Sequence, residues 1–280
     1  MRQDSFLLIL TVSLLTACVE GPNESTSREA VLTANRITAN RITANRITAN
    51  RLTVNDAADE LIATADGREL FSAIVGCAIP VDITLEATVD GTTFEFFGEI
   101  GLTPQWLEHP LDREGQGWIS ACVFAKINAR DVAINFSMRG PNPALTVDSL
   151  EREVFSVEEG AFYGNMFTPP DQPILWIACR GRGQADKDSG LLDRVCATPD
   201  KRHPGLTECG FFFAGNCGDF AHKFACDHFS EDGEFYQDCH ASPVNRKHHP
   251  HDDSDSGYDG DDDHDRSHVF QEVITTYVIP

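Results

Sequence analysis

The sequence predicts an α+β fold: a single disulfide-braced domain with a cysteine-rich C-terminal part, preceded by a short five-residue repeat. Apolar residues recur with the period of a helix in some segments and of a strand in others, without a regular strand–helix–strand rhythm. Nine cysteines occur in 280 residues, and six of them fall within residues 179–239. A run of near-identical five-residue units occupies residues 31–55, so we place the main domain at residues 56–246.

The charge balance restricts the function before any motif is considered. Asp and Glu total 44 against 22 Lys and Arg, which gives a formal net charge of −22. A nucleic-acid partner is not expected, because phosphate recognition needs a basic surface. No apolar run reaches the roughly 18 residues that a membrane-spanning helix needs.

Residues 1–17 have the organisation of a secretory signal, with Arg2 followed by an apolar run. The run ends in Leu15-Thr16-Ala17-Cys18, which resembles the lipobox of bacterial lipoproteins. The resemblance implies cleavage before Cys18, acylation of its thiol and attachment to the membrane through the lipid. Val19 in place of aspartate implies an outer-membrane lipoprotein, on either the periplasmic or the surface face. An ordinary signal peptide with a chance cysteine is the alternative.

Once Cys18 is assigned to the lipid, the number of cysteines is even, which in an exported chain predicts four disulfides. The sequence does not choose among the possible pairings. A zinc site that uses Cys217, His222, Cys226 and His228 is the alternative, but no Cys-x-x-Cys pair supports it. The predicted half-cystines are Cys77, Cys122, Cys179, Cys196, Cys209, Cys217, Cys226 and Cys239.

Residues 18–30 have the composition of a flexible tether. The repeat that follows reads VLTAN-RITAN-RITAN-RITAN-RLTVN. It is either an extended or disordered spacer, a short coil of the kind found in the pentapeptide-repeat proteins that it resembles, or a helix. Its arginines make it locally basic, so it can lie against anionic lipid headgroups or against the acidic tract of the chain itself.

Local patterns predict the first elements of the domain. Asp66, with Glu69 three residues later, predicts the start of a helix. Two alternating runs flank Asp90-Gly91, which is a strong hairpin signal over residues 83–96. Residues 118–128 (WISACVFAKIN) predict a buried helix.

The later elements follow from the same two periods. Residues 132–138 alternate as a strand that ends at 139–141, and residues 174–179 form a core strand. Residues 191–196 predict a short helix. Residues 159–167, which are rich in glycine and aromatic residues, either line a pocket or form a tightly packed loop. Residues 269–280 predict a terminal strand, because they contain a β-branched, aromatic-bearing run.

An insert at residues 247–268 contains eight aspartates and five histidines and almost nothing that could pack. Carboxylates two residues apart are typical of calcium loops, and adjacent histidines suit zinc, copper or nickel. The alternatives are a solvated loop that binds divalent cations only loosely, with no resident cofactor, and a contact with a basic partner. The candidate metal ligands are His248, His249, His251, Asp253, Asp255, Asp259, Asp261, Asp263, His264 and His268.

One short pattern points to catalysis. Gln116, six residues before Cys122, resembles the arrangement in papain-like proteases, where the glutamine helps to form the oxyanion hole. A nucleophilic Cys122 would leave an odd number of cysteines, so a half-cystine is the preferred interpretation. We therefore assign no catalytic residue.

Several segments together, including the repeats and WISACVFAKIN, resemble a group of exported myxobacterial proteins with Asn-rich five-residue repeats. The group has no assigned activity, so the resemblance implies origin and architecture only. The prediction is a non-enzymatic envelope lipoprotein that serves as a binding or structural module with an unidentified protein or envelope partner. A secreted hydrolase with an unrecognised site, or a metal-binding protein that uses the Asp/His insert, is the alternative.

Overall fold

The computed structural model describes residues 31–33, 48–52, 60–129, 134–169, 171–182, 194–218, 223–245 and 269–280. The fold is α+β, as predicted, and strands dominate it. Helices α1 to α3 span Ala65–Ala78, Arg113–Ala125 and Ser149–Val154. Strands β1 to β11 span Val31–Thr33, Thr84–Val89, Thr92–Phe97, Ile134–Arg139, Val157–Asn165, Leu175–Arg180, Phe212–Asn216, Lys223–Phe229, Tyr236–Asn245, Val269–Phe270 and Ile274–Val278.

Helix α1 is present where the sequence predicts it, but its cap differs. The N-cap is Thr64, whose hydroxyl accepts a hydrogen bond from the Gly67 N–H at 3.0 Å. Asp66, the predicted cap, lies instead in the first turn, where its negative charge favours the helix dipole. Among the described residues no helix is both long and apolar enough to cross a bilayer.

Helix α2 begins five residues before the predicted start. Asp112 caps it by accepting the Gly115 N–H at 2.8 Å, and every residue from Gly117 to Ala125 is buried. The disulfide between Cys77 and Cys122 joins α2 to α1. Both helices contribute to the larger of two hydrophobic clusters in the domain.

Strands β2 and β3 form the predicted hairpin as a separate two-stranded sheet. Asp90 and Gly91 take φ values of 50° and 79° at its tip. Two successive positive φ angles define the type I′ turn that matches the twist of paired strands, and glycine and aspartate tolerate them best. The hairpin prediction is confirmed.

The other strands form one sheet in the order β1-β4-β11-β5-β6-β7-β8-β9-β10. The predicted terminal strand is two strands, separated by residues 271–273. The first of them, β10, pairs with β9 at one edge, whereas β11 lies between β4 and β5 near the other. Because three residues join these distant positions, the sheet must curl back on itself.

Two predictions on local structure are wrong. Residues 194–196 are not helical, and Val195 takes a φ of 47°, which a helix does not accommodate. Of the two alternatives for residues 159–167, the tightly packed loop is wrong, because the segment is mostly strand β5, whose residues 158–164 are all buried. The pocket alternative is met at Gly164 and Asn165, which line a cavity. Small residues in that strand allow close packing: a Cβ at Gly160 would lie 2.3 Å from the Cys179 carbonyl oxygen.

Both ends of the five-residue repeat contact the domain. Its first residues form β1, which pairs antiparallel with β4. Near its other end, the carbonyl of Asn50 accepts a hydrogen bond from Trp106 Nε1 at 2.6 Å, and Leu52 is 3% exposed. Residues 34–47 lie outside the described residues, so the conformation of the repeat as a whole stays a prediction.

The eight predicted half-cystines form four disulfides, which confirms the prediction of their oxidation. The zinc alternative is wrong, because Cys217 and Cys226 are each bonded to another cysteine. Two of the bridges are neighbours in the smaller hydrophobic cluster, where the sulfurs of Cys179 and Cys226 are 3.9 Å apart. The pairs are Cys77–Cys122, Cys179–Cys217, Cys196–Cys209 and Cys226–Cys239.

Candidate functional site

A cavity of about 320 Å³ lies between the start of α2, the end of β5 and the residues that join β10 to β11. These three pieces come from distant parts of the sequence, and the curled sheet brings them together. The lining includes a cation, a carboxyl group and two amides. The lining residues are Arg113, Gly117, Gly164, Asn165, Val269, Phe270, Gln271 and Glu272.

Two of the lining residues are glycines whose missing side chains shape the cavity. A Cβ at Gly117 would lie 2.7 Å from Glu272 Oε2, so the absence of a side chain makes room for the carboxyl group against the helix. Gly164 has a φ of 135°, and a Cβ there would lie 2.0 Å from the Leu175 carbonyl oxygen. The shape of the cavity therefore depends on close backbone approach at both positions.

The wall between α2 and β5 is held by a chain of hydrogen bonds. The Ser120 hydroxyl donates to the Gln116 carbonyl at 2.6 Å and accepts the Met166 N–H at 2.9 Å. Beside it, Asn165 Oδ1 accepts the Phe167 N–H at 2.7 Å. That bond occupies Oδ1 as an acceptor and leaves the NH₂ group as the donor of the Asn165 side chain.

Glu272 is the most unusual group in the cavity. Its side chain is half-buried, and burial raises the pKa of its carboxyl group. Its own backbone N–H lowers that pKa, the neighbouring carboxyl groups of Glu114 and Asp112 raise it, and Arg113 lowers it. Burial and repulsion prevail, so Glu272 binds a proton, or a positively charged group, more readily than an exposed glutamate does.

Opposite charges also lie near one another at the cavity, since Arg113 acts on Glu272 electrostatically. Arg113 and Gly117 are four residues apart and therefore lie on one face of α2. The carboxyl group of Glu272 packs against Gly117, so it lies roughly one helical turn, about 6 Å, along the axis from the Arg113 backbone. A guanidinium and a carboxyl group thus face the same space.

A second cavity, of about 480 Å³, is more open to solvent. Lys201, Arg202 and Glu208 on its rim are exposed. Asp200, which also lines it, lies 2.7 Å from the Nδ1 of His203, and this contact lowers the pKa of Asp200 to about 2. The smaller cavity is the better candidate, because two of its polar groups, Asn165 and Glu272, are partly buried.

A separate group of charged residues is buried and structural. Arg194 Nε lies 3.2 Å from Glu159 Oε1, and both side chains are inaccessible to solvent, at 1% and 0% exposed. Arg194 also donates to the Ala125 carbonyl at the end of α2 and lies over the Phe136 ring at 4.1 Å. The Thr276 hydroxyl donates to Glu159 Oε2 at 2.7 Å.

The residues predicted from sequence fall into different places. Cys122 is bonded to Cys77, so it cannot act as the nucleophile that the papain-like resemblance implies. Cys18 and the ten candidate metal ligands lie outside the described residues, and their roles stay predictions. Within the described residues, no group of three or more His, Cys, Asp or Glu side chains is arranged to hold a metal ion.

Sequence reasoning missed Arg113 and Glu272 as site residues. The signal for Glu272 was the polar pair Gln271-Glu272, which interrupts the otherwise apolar terminal run and marks the break between β10 and β11. Arg113 carries no such signal, because a charged residue in the first turn of a helix is ordinary. No protein-family model, no curated protein and no solved structure matches this chain.

Proposed function

We propose that the protein is a lipid-anchored, non-enzymatic module of the bacterial cell envelope that binds a small polar molecule in the cavity beside α2. The observation that carries the proposal is the cavity itself, in which Arg113 and Glu272 face one space. Functional pockets combine a defined volume with a few polar groups that converge on it, at least one of them with a perturbed pKa. The cavity of about 320 Å³ meets both criteria.

The proposed location rests on two observations. Four disulfides are typical of proteins in oxidising compartments such as the periplasm or the cell surface. The Leu15–Cys18 sequence supplies the acylation site, and the acyl chains would make the membrane a partner without a spanning helix. Outer-membrane sorting follows the absence of aspartate after Cys18.

The two alternative functions are a hydrolase and a metal-binding protein. The Cys77–Cys122 bond rules out Cys122 as a nucleophile, whereas a secreted hydrolase with an unrecognised site stays an alternative proposal. A metal-binding role for residues 247–268 is tested by calorimetric titration of the protein with Zn²⁺ and Ca²⁺. Dissociation constants in the millimolar range or weaker would leave the insert as a charged solvated loop.

Detergent phase partition tests the anchor. The wild-type protein, expressed in a bacterium that processes lipoproteins, should enter the Triton X-114 phase. Cys18→Ser should move it to the aqueous phase, because the acceptor thiol is lost. Cys122→Ser provides the matched control, since it removes another cysteine and should leave the partition unchanged. Equal partition of wild type and Cys18→Ser would refute lipid anchoring.

Thermal unfolding tests the binding role. The mature protein should be stabilised by the low-molecular-weight fraction of an envelope extract, because a ligand that binds only the folded state raises Tm. Glu272→Gln should abolish this shift. Glu86→Gln, on the exposed face of β2, is the matched control and should keep it. Absence of any shift, or an equal shift in Glu272→Gln, would refute the cavity as the binding site.

A further inference from the structure

We propose that two neighbouring disulfides form a single thiol–disulfide exchange site, whose co-reactant is a dithiol. The two bridges are Cys179–Cys217 and Cys226–Cys239. The Sγ atoms of Cys179 and Cys226, one from each bridge, are 3.9 Å apart. The proposal goes beyond ligand binding, because it assigns a redox reaction to residues that do not line the cavity beside α2.

The sheet holds these four cysteines on neighbouring strands. Cys179 lies in β6, Cys217 directly follows β7, and the other two lie in β8 and β9. The N–H of Cys226 donates to the Cys217 carbonyl at 2.9 Å, and Cys226 lies directly opposite Cys239 in the register of β8 and β9. Backbone hydrogen bonds, as well as the bridges themselves, therefore keep the sulfurs together.

The contact between the two bridges is short enough for exchange. The sulfurs of a disulfide are about 2.05 Å apart, so those of Cys179 and Cys226 would have to approach each other by about 2 Å to form a bond. Rotation about χ1 of either cysteine moves its sulfur while its strand stays in place. A thiolate at Cys226 would therefore already lie beside the sulfur that it attacks.

The Cys226–Cys239 bridge is the point at which a dithiol enters. Cys226 is 3% exposed, whereas the other three cysteines are each 0% exposed. The bridge also lies close to the edge of the sheet, since the outer strand β10 has two residues and pairs only with Cys239 and His240. Edge segments with few hydrogen bonds open at a small fraction of the free energy of global unfolding, and such opening admits a small dithiol.

The reaction begins at the outer bridge. A thiolate of the dithiol attacks Cys239 Sγ, and the electron pair of the Cys226–Cys239 bond leaves with Cys226 Sγ. The Cys226 thiolate then attacks Cys179 Sγ and forms a Cys179–Cys226 bond. The electron pair of the Cys179–Cys217 bond leaves with Cys217 Sγ, which takes a proton from water.

The second thiol of the dithiol completes the reaction. As a thiolate it attacks the dithiol's own sulfur in the mixed disulfide, and Cys239 leaves as a thiolate and is protonated. The dithiol is thereby oxidised to a disulfide by two electrons. The protein is reduced by the same two electrons, from two bridges to one bridge and two thiols, at Cys217 and Cys239.

Two single variants that lose the same bridge test the contact. Cys239→Ser leaves the thiol of Cys226, and Cys226→Ser leaves that of Cys239. Each protein, exported to an oxidising compartment, is held at about pH 8 without reductant, quenched with acid, alkylated and mapped by peptide mass spectrometry. At least about one-tenth of the Cys239→Ser molecules should contain Cys179–Cys226 with Cys217 alkylated, as expected if the two pairings differ by no more than about 1.4 kcal/mol. Cys226→Ser should keep Cys179–Cys217.

Cys77→Ser is the matched control for a freed thiol. It releases Cys122, whose Sγ lies 4.0 Å from the Sδ of Met138. A thioether has no S–S bond to exchange, so the other three native bridges should persist in this variant.

Partial reduction of the wild type needs no variant and decides the question if Cys239→Ser does not fold. With limiting dithiothreitol and the same quench, the first thiols among the four cysteines should be those of Cys217 and Cys239. Any other first pair, including Cys226 and Cys239, would overturn the proposal. Exchange in fewer than about one-tenth of the folded Cys239→Ser molecules, or equal exchange in Cys226→Ser, would also overturn it.

Discussion

Replacing Glu159 by glutamine tests whether the ion pair with Arg194 stabilises the folded state. The substitution preserves the shape of the side chain and its contact with the Thr276 hydroxyl, but it removes the negative charge. The guanidinium of Arg194 would then remain at 1% exposure beside the Ala125 carbonyl and the rings of Phe136 and Phe162, with no negative charge to balance it.

The expected loss of stability follows from the burial of both charged side chains. Breaking a buried ion pair by neutralising one member typically costs about 3–5 kcal/mol, because the other charge is left desolvated. Burial lowers the pKa of Arg194 although Glu159 opposes this effect, so the site disfavours a lone cation. We therefore expect Glu159→Gln and Arg194→Met each to reduce the free energy of unfolding by about 3–5 kcal/mol.

Urea unfolding with the disulfides intact, followed by tryptophan fluorescence at pH 7, measures these values. The double variant should cost no more than either single variant, because no unpaired charge remains, which gives a coupling energy of about 3 kcal/mol or more. Arg152→Met is the matched control. Its pair with Glu234 is 45% exposed on the arginine side, so its loss should cost at most about 1 kcal/mol.

Two results would refute the reasoning. If Glu159→Gln costs less than about 1 kcal/mol, the pair does not stabilise the fold. If the costs of the two single variants simply add in the double variant, Glu159 and Arg194 act independently despite their 3.2 Å separation.

Three further predictions concern other parts of the molecule. Replacing both Cys77 and Cys122 by alanine should reduce the free energy of unfolding, measured with urea, by about 4 kcal/mol, because the bridge joins residues that are 45 positions apart. A loss below about 1 kcal/mol would contradict this. Gly164→Ala should reduce the free energy of unfolding by at least about 2 kcal/mol, since φ is 135° and the new Cβ would clash with the Leu175 carbonyl. An unchanged Tm, measured by circular dichroism, would contradict this. Because the pKa of Glu272 is raised on folding, its stabilising contribution is complete at low pH and is lost as pH rises. The Tm of wild type should therefore fall relative to that of Glu272→Gln between about pH 4 and pH 7, and a constant difference would argue against the raised pKa.

The local elements could be predicted from the sequence because their signals are local. The Asp90-Gly91 hairpin depends on turn chemistry and on alternation within a few residues on either side. The two long helices depend on apolar periodicity, and their starts were misplaced because Thr64 and Asp112 act through a single hydrogen bond to a nearby N–H. The oxidation of the eight cysteines could be predicted from their even number together with the expectation of export.

The arrangement of the sheet and the candidate site could not be predicted, since both depend on contacts between distant residues. The sequence does not specify which cysteines pair, because each pairing is set by the fold. The break at residues 271–273, which sends β10 and β11 to different parts of the sheet, is an interruption of only three residues within an apolar run. Arg113 and Glu272 meet only because that break returns the chain to the start of α2.

The position of β11 has a consequence for biosynthesis. Its two neighbours, β4 and β5, are made long before it, yet they do not pair with each other and are bridged only when residues 274–278 arrive. Until this segment emerges during synthesis, the edges of β4 and β5 that face β11 therefore have no strand to pair with. Such a delay makes completion of the sheet a late event in folding.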